Sequence, residues 1–434
     1  MVKKVNTALV KLWDQDVGAV TWLEDKQYAL FEYEPKFLKA NLNIAPIYMD
    51  IDTVTRNTIF SFPNLNKDTY LGLPGLLSDC LPDKFGNSII DAWLLRTGRE
   101  IASFSPIERL CYTGKRGMGA LEFLPATFNN TNNSVPVEIS ELVDLAQRVV
   151  TEYQEIDVNF DYKNRQNNSH AIKDIIRVGT SAGGARPKAV IGIDNKGHVI
   201  SGQGIIPNGY DYWILKFDGV NDLEIGVPRS YGRIEYAYYL MAKEAGIIMS
   251  ECRLLEENNR AHFMTKRFDR INGQKIHMQS LCGIAHYDYN MPGAYSYEQA
   301  FAIMRKLRLS KKEAIQQYRR MVFNVLAKNL DDHTKNISFL MDQEGKWRLS
   351  PAYDITYAHN PKGHWTNKHQ MTINGKRENI NKNDFYKIAK FINLSKPDDI
   401  INEVVKAIDK WKNYADIAGL DIKIMKEIEK YHIG

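Results

Sequence analysis

The first third of the chain contains short runs in which apolar and polar residues alternate. The runs NTALVKLW, AVTWL and YALFEY, all within residues 6–33, have the period of two that is typical of strands with one buried face. The stretch NSIIDAWLLRTG, from Asn87, has helical spacing instead. Residues 1–125 are therefore predicted to form an α+β subdomain.

A sheet is predicted next, after polar, turn-forming stretches at 127–136 and 164–170. The runs AVIGI and HVISG flank the turn DNKG and predict a β-hairpin. In the following run, YWILKF, Trp213, Leu215 and Phe217 share one face and Lys216 lies on the other. The strand-like run RAHFMTKRFDR comes later. Residues 126–275 are predicted to be a second domain built around this sheet.

A helix is predicted from Ser230 to Gly246, before the strand-like run RAHFMTKRFDR, and helical periodicity dominates from about residue 295 onward. Another helix is predicted to begin at Ser310, where Glu313 three residues later completes a capping-box pattern. The runs ISFLM and KWRL flank the turn DQEG and predict one hairpin. Residues 276–434 are predicted to be an all-α lobe apart from that hairpin.

Composition narrows the class of protein. The chain has 434 residues, of which 44% are hydrophobic and 25% charged, and it has no apolar stretch of membrane-spanning length. Its amino terminus lacks the apolar core of a secretory signal, so we expect a cytoplasmic protein. A net charge of +5 without basic, aromatic-rich runs predicts contact with DNA only through a partner. The four scattered cysteines predict buried, reduced thiols.

The glycine-rich stretch VGTSAGGARPKAV, residues 178–190, has three interpretations. The pattern G-x-S-x-G around Ser181 matches the nucleophile elbow of serine hydrolases, but that elbow requires a helix where the strand-like AVIGI follows. A Walker A loop is excluded because G-K-[ST] is absent. A glycine-rich flap that approaches phosphates through backbone N–H groups remains, beside an ordinary surface loop.

Lys216 also has two interpretations. A lysine in the middle of a strand is commonly a solvated outward residue. It is also the residue that binds nucleotide phosphates in kinases, where a glutamate on the next helix holds it. Glu235, in the first turns of the helix predicted from Ser230, is the available partner.

The stretch NLDDHTKN, residues 329–336, carries the sharpest signal. Asp331 and Asn336 have the spacing D-x-x-x-x-N that kinases use to place a catalytic base and a metal-binding asparagine. The predicted hairpin would return the chain so that Asp354 lies beside Asn336. A polar turn that ends a helix is the alternative interpretation. The order of glycine loop, Lys216, Glu235, this stretch and Asp354 favours phosphoryl transfer.

These elements resemble the HipA family of type II toxin–antitoxin kinases over nearly the full chain. The matching stretches are GLPGLLSDCLPDKFGNSIIDAWL, GKRGMGALEF, SAGGARPK, ILKF, KRFDR, DDHTKN and PAYDI. The D-x-H-x-x-N element is also similar to that of phosphatidylinositol-type lipid kinases. The resemblance implies an α+β, bilobal, protein-kinase-like fold with an extra N-terminal subdomain at 1–125, an N-lobe at 126–275 and a helical C-lobe at 276–434.

The resemblance also implies site residues for ATP and Mg²⁺. Asp331 would be the catalytic base, assisted by Lys216 and Glu235, and Asn336 and Asp354 would bind the metal. The implied nucleotide site comprises Gly183, Gly184, Ala185, Arg186, Pro187, Lys188, Lys216, Lys266, Arg267, Phe268, His333, Asn336, Tyr353 and Asp354.

The family further implies regulation and partners. Ser181 matches the serine that such kinases autophosphorylate, and Thr180 beside it is a second candidate hydroxyl. Asp332 lies next to Asp331, so two adjacent carboxylates are candidates for the proton acceptor. The implied partners are a HipB-type helix-turn-helix antitoxin, which links the protein to DNA indirectly, and a protein substrate, typically an aminoacyl-tRNA synthetase such as the glutamyl enzyme. An inactive, nucleotide-binding corepressor and a serine hydrolase at Ser181 are the alternative functions.

Overall fold

The computed structural model describes residues 4–55, 58–96, 98–127, 138–144, 146–147, 186–220 and 230–433. The chain divides into two compact units. The first takes its residues from 1–42, 53–232 and 253–277, and the second from 43–52, 233–252 and 278–434. Sheets and helices occur side by side in the chain, as the predicted α+β class requires.

Two antiparallel sheets organise the first unit. The N-terminal sheet has the order β3-β2-β1-β4, with β1 at Thr7–Leu12, β2 at Gln15–Leu23, β3 at Tyr28–Tyr33 and β4 at Leu121–Leu124. The second has the order β6-β5-β7-β9-β8, with β5 at Lys188–Asp194, β6 at Val199–Ser201, β7 at Tyr210–Lys216, β8 at Cys252–Glu257 and β9 at Arg260–Lys266. A two-stranded ribbon follows, β10 at Arg270–Ile271 and β11 at Gln274–Lys275. The predicted strands and the β5–β6 hairpin are confirmed.

Helices cover the apolar face of the second sheet. The helices of this part are α1 at Pro35–Leu38, α2 at Lys67–Tyr70, α3 at Gly75–Ser78, α4 at Lys84–Arg96 and α5 at Pro106–Thr113. Ile89 and Ile90 of α4 share one hydrophobic core with Trp213 and Leu215 of β7. Burial of this apolar surface holds α4 against the sheet. The predicted inward face of β7 is confirmed.

A buried cluster of charges ties the end of β9 to the glycine-rich stretch GKRGMG. Asp269 accepts hydrogen bonds from Arg267 Nε at 2.8 Å, Arg270 Nη1 at 2.7 Å and the backbone N of Gly119 at 2.8 Å. Arg270 Nη2 in turn donates to the carbonyl of Gly117 at 2.9 Å. Two of the family-like motifs, KRFDR and GKRGMG, therefore bind each other within the first unit.

The second unit is mainly helical. Its helices are α6 at Tyr231–Glu244, which belongs to this unit from Arg233 onward, α7 at Leu281–Ala285, α8 at Tyr297–Lys306, α9 at Lys311–Leu326, α10 at Lys382–Phe391, α11 at Pro397–Ile408, α12 at Trp411–Ile417 and α13 at Ile422–Glu429. A sheet of order β12-β13-β14 accompanies them, with β12 at His277–Ser280, β13 at Ser338–Met341 and β14 at Trp347–Leu349. The predicted hairpin is confirmed, but the description all-α is wrong, because β12 joins the hairpin to make a three-stranded sheet.

The predicted ends of two helices are confirmed. At the start of α9 the Ser310 side chain accepts from the backbone N of Glu313, and the Glu313 carboxylate accepts from the backbone N of Ser310 at 2.7 Å. These bonds satisfy N–H groups that the first turn leaves without intrahelical acceptors. After α6, Gly246 adopts a φ of 75°, which a glycine tolerates at no steric cost.

Two general predictions concern cysteines and membranes. The four cysteines, all among the described residues, are buried thiols and not disulfides, as predicted. Burial raises the pKa of the Cys111 thiol to about 12, so this group is not a reactive thiolate. Within the part of the chain that the structure describes, no helix has both the length and the apolar character needed to cross a bilayer.

Candidate active site

The stretch NLDDHTKN forms a fixed loop at the end of α9. Lys328 has a left-handed backbone, with a φ of 57°, which turns the chain away from the helix axis. The backbone N of Leu330 then donates to the carbonyl of Ala358 at 3.1 Å, and the backbone N of Ala358 donates to the carbonyl of Lys328 at 3.1 Å. These two bonds anchor the loop to a distant segment, so it is more than a helix-ending turn.

The two adjacent aspartates have different environments. The Asp332 carboxylate is buried and accepts three hydrogen bonds, from Tyr297 Oη at 2.8 Å, His369 Nδ1 at 2.9 Å and the backbone N of Gln370 at 2.8 Å. Burial, together with this carboxylate, raises the pKa of Tyr297 well above its usual value, so the phenol stays protonated and donates. Asp332 is therefore engaged inside the protein.

Asp331 is the accessible carboxylate. Its side chain is 39% exposed. Its Oδ1 atom accepts a hydrogen bond from Trp365 Nε1 at 2.6 Å and lies 3.9 Å from His333 Nε2. The other oxygen, Oδ2, accepts no hydrogen bond from the described residues. Asp331 can thus offer this atom to an incoming donor.

Asn336 closes the loop. Its Nδ2 atom donates to the backbone carbonyl of Asp331 at 2.7 Å, and its backbone N donates to the carbonyl of His333 at 2.9 Å. The first bond uses the amide nitrogen, which leaves the amide oxygen as the group that can bind a cation. The position of Asn336 relative to Asp331 is therefore set by a direct contact, as the D-x-x-x-x-N spacing suggested.

The β13–β14 hairpin returns the chain to this loop. Tyr353, on the segment after β14, donates its hydroxyl to the carbonyl of Lys335 at 2.5 Å and contacts the hydroxyl of Ser338. Asp354 comes next, with a left-handed φ of 51°, a conformation that aspartate adopts more readily than most residues other than glycine. The segments that carry Asn336 and Asp354 are thus linked through the residues beside them.

Aromatic residues support the other side of the loop. Thr334 Oγ1 donates to the carbonyl of Tyr287 at 2.6 Å. The Lys335 ammonium lies 4.7 Å from the centre of the Tyr289 ring, and the His333 ring lies 5.5 Å from the same centre. His333, a predicted nucleotide contact, is therefore held at the loop by Tyr289.

Lys216 is the last residue of β7 and is half-buried. It lies opposite Lys188 on β5 and Phe263 on β9, and its ammonium is 5.7 Å from the centre of the Phe263 ring. Glu235 is buried on α6. Lys216 belongs to the first unit and Glu235 to the second, so their pairing stays a prediction.

The described part of the glycine-rich stretch is held by neighbours in the first unit. The Lys188 ammonium forms an ion pair with Asp83 at 3.0 Å, and both side chains are only 5% exposed. The guanidinium of Arg186 lies 4.2 Å from the centre of the Tyr231 ring. Lys188 therefore has a structural partner in the N-terminal part of the chain, whatever else it binds.

Most of this stretch lies outside the described residues. Gly183, Gly184 and Ala185 lie outside the described residues, as do Ser181 and Thr180. Pro187 is described, and its carbonyl accepts from the backbone N of Phe217 at 3.0 Å, so the stretch enters β5 directly beside β7. The strand that follows leaves no room for the helix of a serine-hydrolase elbow.

The predicted nucleotide-binding segment Lys266 to Phe268 lies at the end of β9. Lys266 forms an exposed ion pair with Asp211 at 2.6 Å, and the buried guanidinium of Arg267 binds Asp269 through two nitrogens. Phe268 is half-buried. The side chains of Lys266 and Arg267 therefore already have protein partners, and the role of this segment in binding a base stays a prediction.

The predicted metal ligands are one amide and one carboxylate. Among the described residues no three His, Cys, Asp or Glu side chains lie together in a way that would hold a metal ion. A site of the zinc type is thus not found there. Asn336 and Asp354 are oxygen donors of a different kind, which suit a hard cation that keeps part of its water shell.

Residues 431–433 pack on the end of α9, next to the site. The backbone N of Ile433 donates to the carbonyl of Leu326 at 2.9 Å, and His432 Nε2 lies 2.9 Å from the hydroxyl of Tyr238. That hydroxyl donates to the carbonyl of Ala327 at 2.6 Å, so His432 Nε2 must be the donor in the second bond. The Nδ1 atom of His432 is buried without a hydrogen-bond partner among the described residues.

Protonation of His432 should therefore destabilise the protein. Burial and then nearby Lys328 lower the pKa of His432 from its ordinary 6.5 to about 4. Because the folded pKa is lower than the unfolded one, the neutral ring's contribution is complete above pH 6.5 and is lost as the pH falls toward 4. We expect His432→Gln to reduce the acid-induced loss of unfolding free energy between pH 7 and 5 by about 1–2 kcal/mol.

Urea denaturation at the two pH values measures this effect. His364→Gln is the matched control, since His364 is exposed, and it should keep the wild-type difference between pH 7 and 5. An equal acid-induced loss in wild type and His432→Gln would contradict the prediction.

Several residues of the site were missed by the sequence. One residue, Trp365, contacts Asp331, and three contact Asp332: Tyr297, His369 and Gln370. None of the four lies in a recognisable motif. They reach the loop from segments 34 to 38 residues away in the chain. The doubled aspartate was the one available hint, because a second buried carboxylate needs several donors.

The chain is similar to two described domain families and to solved structures. The family description HipA-like C-terminal domain matches residues 180–412, and HipA N-terminal domain matches residues 8–124. Among solved structures, the HipA, HipB and operator DNA complex of the toxin–antitoxin system of Shewanella oneidensis MR-1 matches at a TM-score of 0.59 and 16% identity, covering 98% of this chain and 94% of that chain. The Helicobacter pylori proinflammatory kinase CtkA matches at a TM-score of 0.33 and 14% identity, covering 52% of this chain and 89% of that chain.

Proposed function

The chain belongs to the HipA family, and we propose that it is an ATP- and Mg²⁺-dependent serine/threonine protein kinase that acts as the toxin of a toxin–antitoxin pair. The observation that carries the proposal is the loop at 329–336. It presents one accessible carboxylate, that of Asp331, and holds Asn336 nearby through a 2.7 Å hydrogen bond from Asn336 Nδ2 to the backbone carbonyl of Asp331. Phosphoryl transfer to a hydroxyl needs this combination of a proton acceptor and a metal-binding oxygen.

Asp331 is the proton acceptor in this proposal. Asp332 is buried and already accepts three hydrogen bonds, so a substrate hydroxyl cannot approach it. Asp331 is partly exposed and its Oδ2 accepts no hydrogen bond from the described residues. In this proposal Asp331 therefore takes part in the reaction, and Asp332 stabilises the structure of the loop.

Asn336 and Asp354 are the proposed Mg²⁺ ligands. Their oxygens fit this ion, because Mg²⁺ at nucleotide sites commonly takes one or two protein oxygens and completes its shell with water and phosphate. When bound, the ion neutralises negative charge on the phosphates. Lys216 is the proposed phosphate-binding cation, with Glu235 as its partner, and the loop Gly183–Lys188 is proposed to cover the nucleotide.

The partners follow from family membership. We propose a HipB-type antitoxin as the binding partner, through which the protein would reach operator DNA. The proposed acceptor is a protein hydroxyl, on an aminoacyl-tRNA synthetase such as the glutamyl enzyme, and Ser181 within the chain itself. Support for this part comes from the similarity alone, since Ser181 lies outside the described residues.

Phosphate transfer from [γ-³²P]ATP tests the function directly. The purified protein, with glutamyl-tRNA synthetase added as acceptor, should incorporate label in the presence of Mg²⁺ and lose all incorporation in EDTA. Mass spectrometry should place the chain's own phosphate on Ser181, and Ser181→Ala should remove it, whereas a phosphate on Thr180 would correct the assignment.

Two other outcomes would reject the proposal. ATP binding without any transfer would favour the nucleotide-binding corepressor. Covalent reaction of Ser181 with a fluorophosphonate probe would favour the serine hydrolase.

A further inference from the structure

The two adjacent aspartates of the catalytic loop are connected by a closed ring of hydrogen bonds. Trp365 Nε1 donates to Asp331 Oδ1 at 2.6 Å, and the Gln370 side-chain amide donates to the backbone carbonyl of Trp365. The backbone N of Gln370 donates to Asp332 Oδ1 at 2.8 Å. Because Asp331 and Asp332 are covalent neighbours, the ring begins and ends at the same peptide.

Asp332 is the anchor of this ring. Its Oδ2 atom accepts from His369 Nδ1 at 2.9 Å, so two consecutive residues, His369 and Gln370, bind the same carboxylate. Behind it, Tyr297 donates to Oδ2 at 2.8 Å and accepts from Asn324 Nδ2 of α9 at 3.1 Å. The segment 365–370 is thereby fixed to the helix that carries the loop.

At the other end of the segment 365–370, Trp365 orients the carboxylate of Asp331. An indole N–H on Oδ1 selects one orientation of the carboxylate and leaves Oδ2 to accept a proton from a substrate hydroxyl. Asp331 needs such a restraint, because its side chain is 39% exposed and would otherwise sample several rotamers. A misplaced catalytic group loses much of its effect even at errors of about 1 Å.

We propose that Trp365 is a positioning residue for the catalytic base Asp331, and that Asp332 serves phosphoryl transfer by anchoring the segment that carries Trp365. The proposal rests on the proposed kinase function. It gives the second aspartate of the loop a role distinct from that of the first. It also places a determinant of the reaction rate 34 residues beyond Asp331 in the chain.

The Trp365→Phe variant removes the N–H and keeps an aromatic ring. We expect kcat for phosphate transfer from ATP to fall about 10- to 100-fold, with the KM for ATP within about two-fold of wild type, because the base and not the nucleotide is affected. Trp347→Phe is the matched control. It loses an indole hydrogen bond of 3.2 Å to the carbonyl of Asn43 in the same unit and should keep wild-type kcat.

A second measurement does not depend on catalysis or on the stability of the Trp365 variant. In protein labelled with ¹⁵N-tryptophan, the Trp365 indole N–H resonance should move upfield in Asp331→Ala, which removes the acceptor, while the Trp347 resonance should stay in place. An unchanged Trp365 resonance in Asp331→Ala would overturn the proposed contact. Wild-type kcat in a folded Trp365→Phe protein would overturn the positioning role.

The failure of the proposed function has a different signature. Wild-type protein that transfers no phosphate in Mg²⁺ would reject the kinase assignment, and with it the catalytic meaning of the contact. Active wild-type protein with an equally active Trp365→Phe variant would reject the positioning role alone.

Discussion

Replacement of Asp331 by asparagine should reduce phosphate transfer by about 10²- to 10⁴-fold, the usual contribution of a general base. The amide has nearly the shape of the carboxylate, and its oxygen can still accept the Trp365 N–H, so the loop should keep its conformation. It cannot take a proton from the substrate hydroxyl. ATP binding should be unchanged, because Asn336 donates to the backbone carbonyl of Asp331 and not to its side chain.

Three measurements check this expectation. Rates of transfer from [γ-³²P]ATP give the loss, calorimetric titration with ATP and Mg²⁺ gives nucleotide affinity, and circular dichroism follows the fold. Asp416→Asn is the control, since Asp416 is an exposed aspartate on α12 of the same unit, and it should be as active as wild type. An Asp331→Asn protein with wild-type transfer would mean that the proton acceptor is another group.

Local patterns in the sequence predicted the elements that carry the site. The capping box at Ser310 fixed the start of α9, and the turn DQEG between two apolar runs fixed the β13–β14 hairpin. Such features depend on residues three to five positions apart, which is the range in which composition and spacing determine backbone structure. The spacing of Asp331 and Asn336 belongs to the same range, and their hydrogen bond confirms that the two residues meet.

Contacts between distant segments were not predictable in this way. The role of Asp332 depends on Tyr297 and His369, 35 and 37 residues away, and no period relates these positions. Lys188 was assigned to nucleotide from its motif, yet its ammonium pairs with Asp83, 105 residues earlier. Which of several charged residues pair in a folded chain depends on tertiary geometry, and the motif alone contains no such information.

The ion pair of Arg267 was likewise not predictable from its motif. In the sequence Arg267 stands within KRFDR and is a predicted nucleotide contact, whereas in the structure its guanidinium is buried and binds Asp269. Burial alone would raise the pKa of Asp269, but the positive charges of Arg267 and Arg270 outweigh it and hold that pKa well below its usual value. The motif therefore has a structural function in the first unit, whether or not its backbone contacts a nucleotide.

Replacement of Asp269 by asparagine should accordingly reduce the free energy of unfolding by about 3–5 kcal/mol, because it leaves two buried guanidinium groups without their counter-ion. Urea denaturation at pH 7 measures the loss. Asp211→Asn removes a carboxylate from an ion pair with Lys266 in the same unit, but Asp211 is 56% exposed, so that loss should stay below about 1 kcal/mol. Equal stabilities of the two variants would mean that water or a local rearrangement compensates the buried arginines, and that the KRFDR motif is not held by its charges.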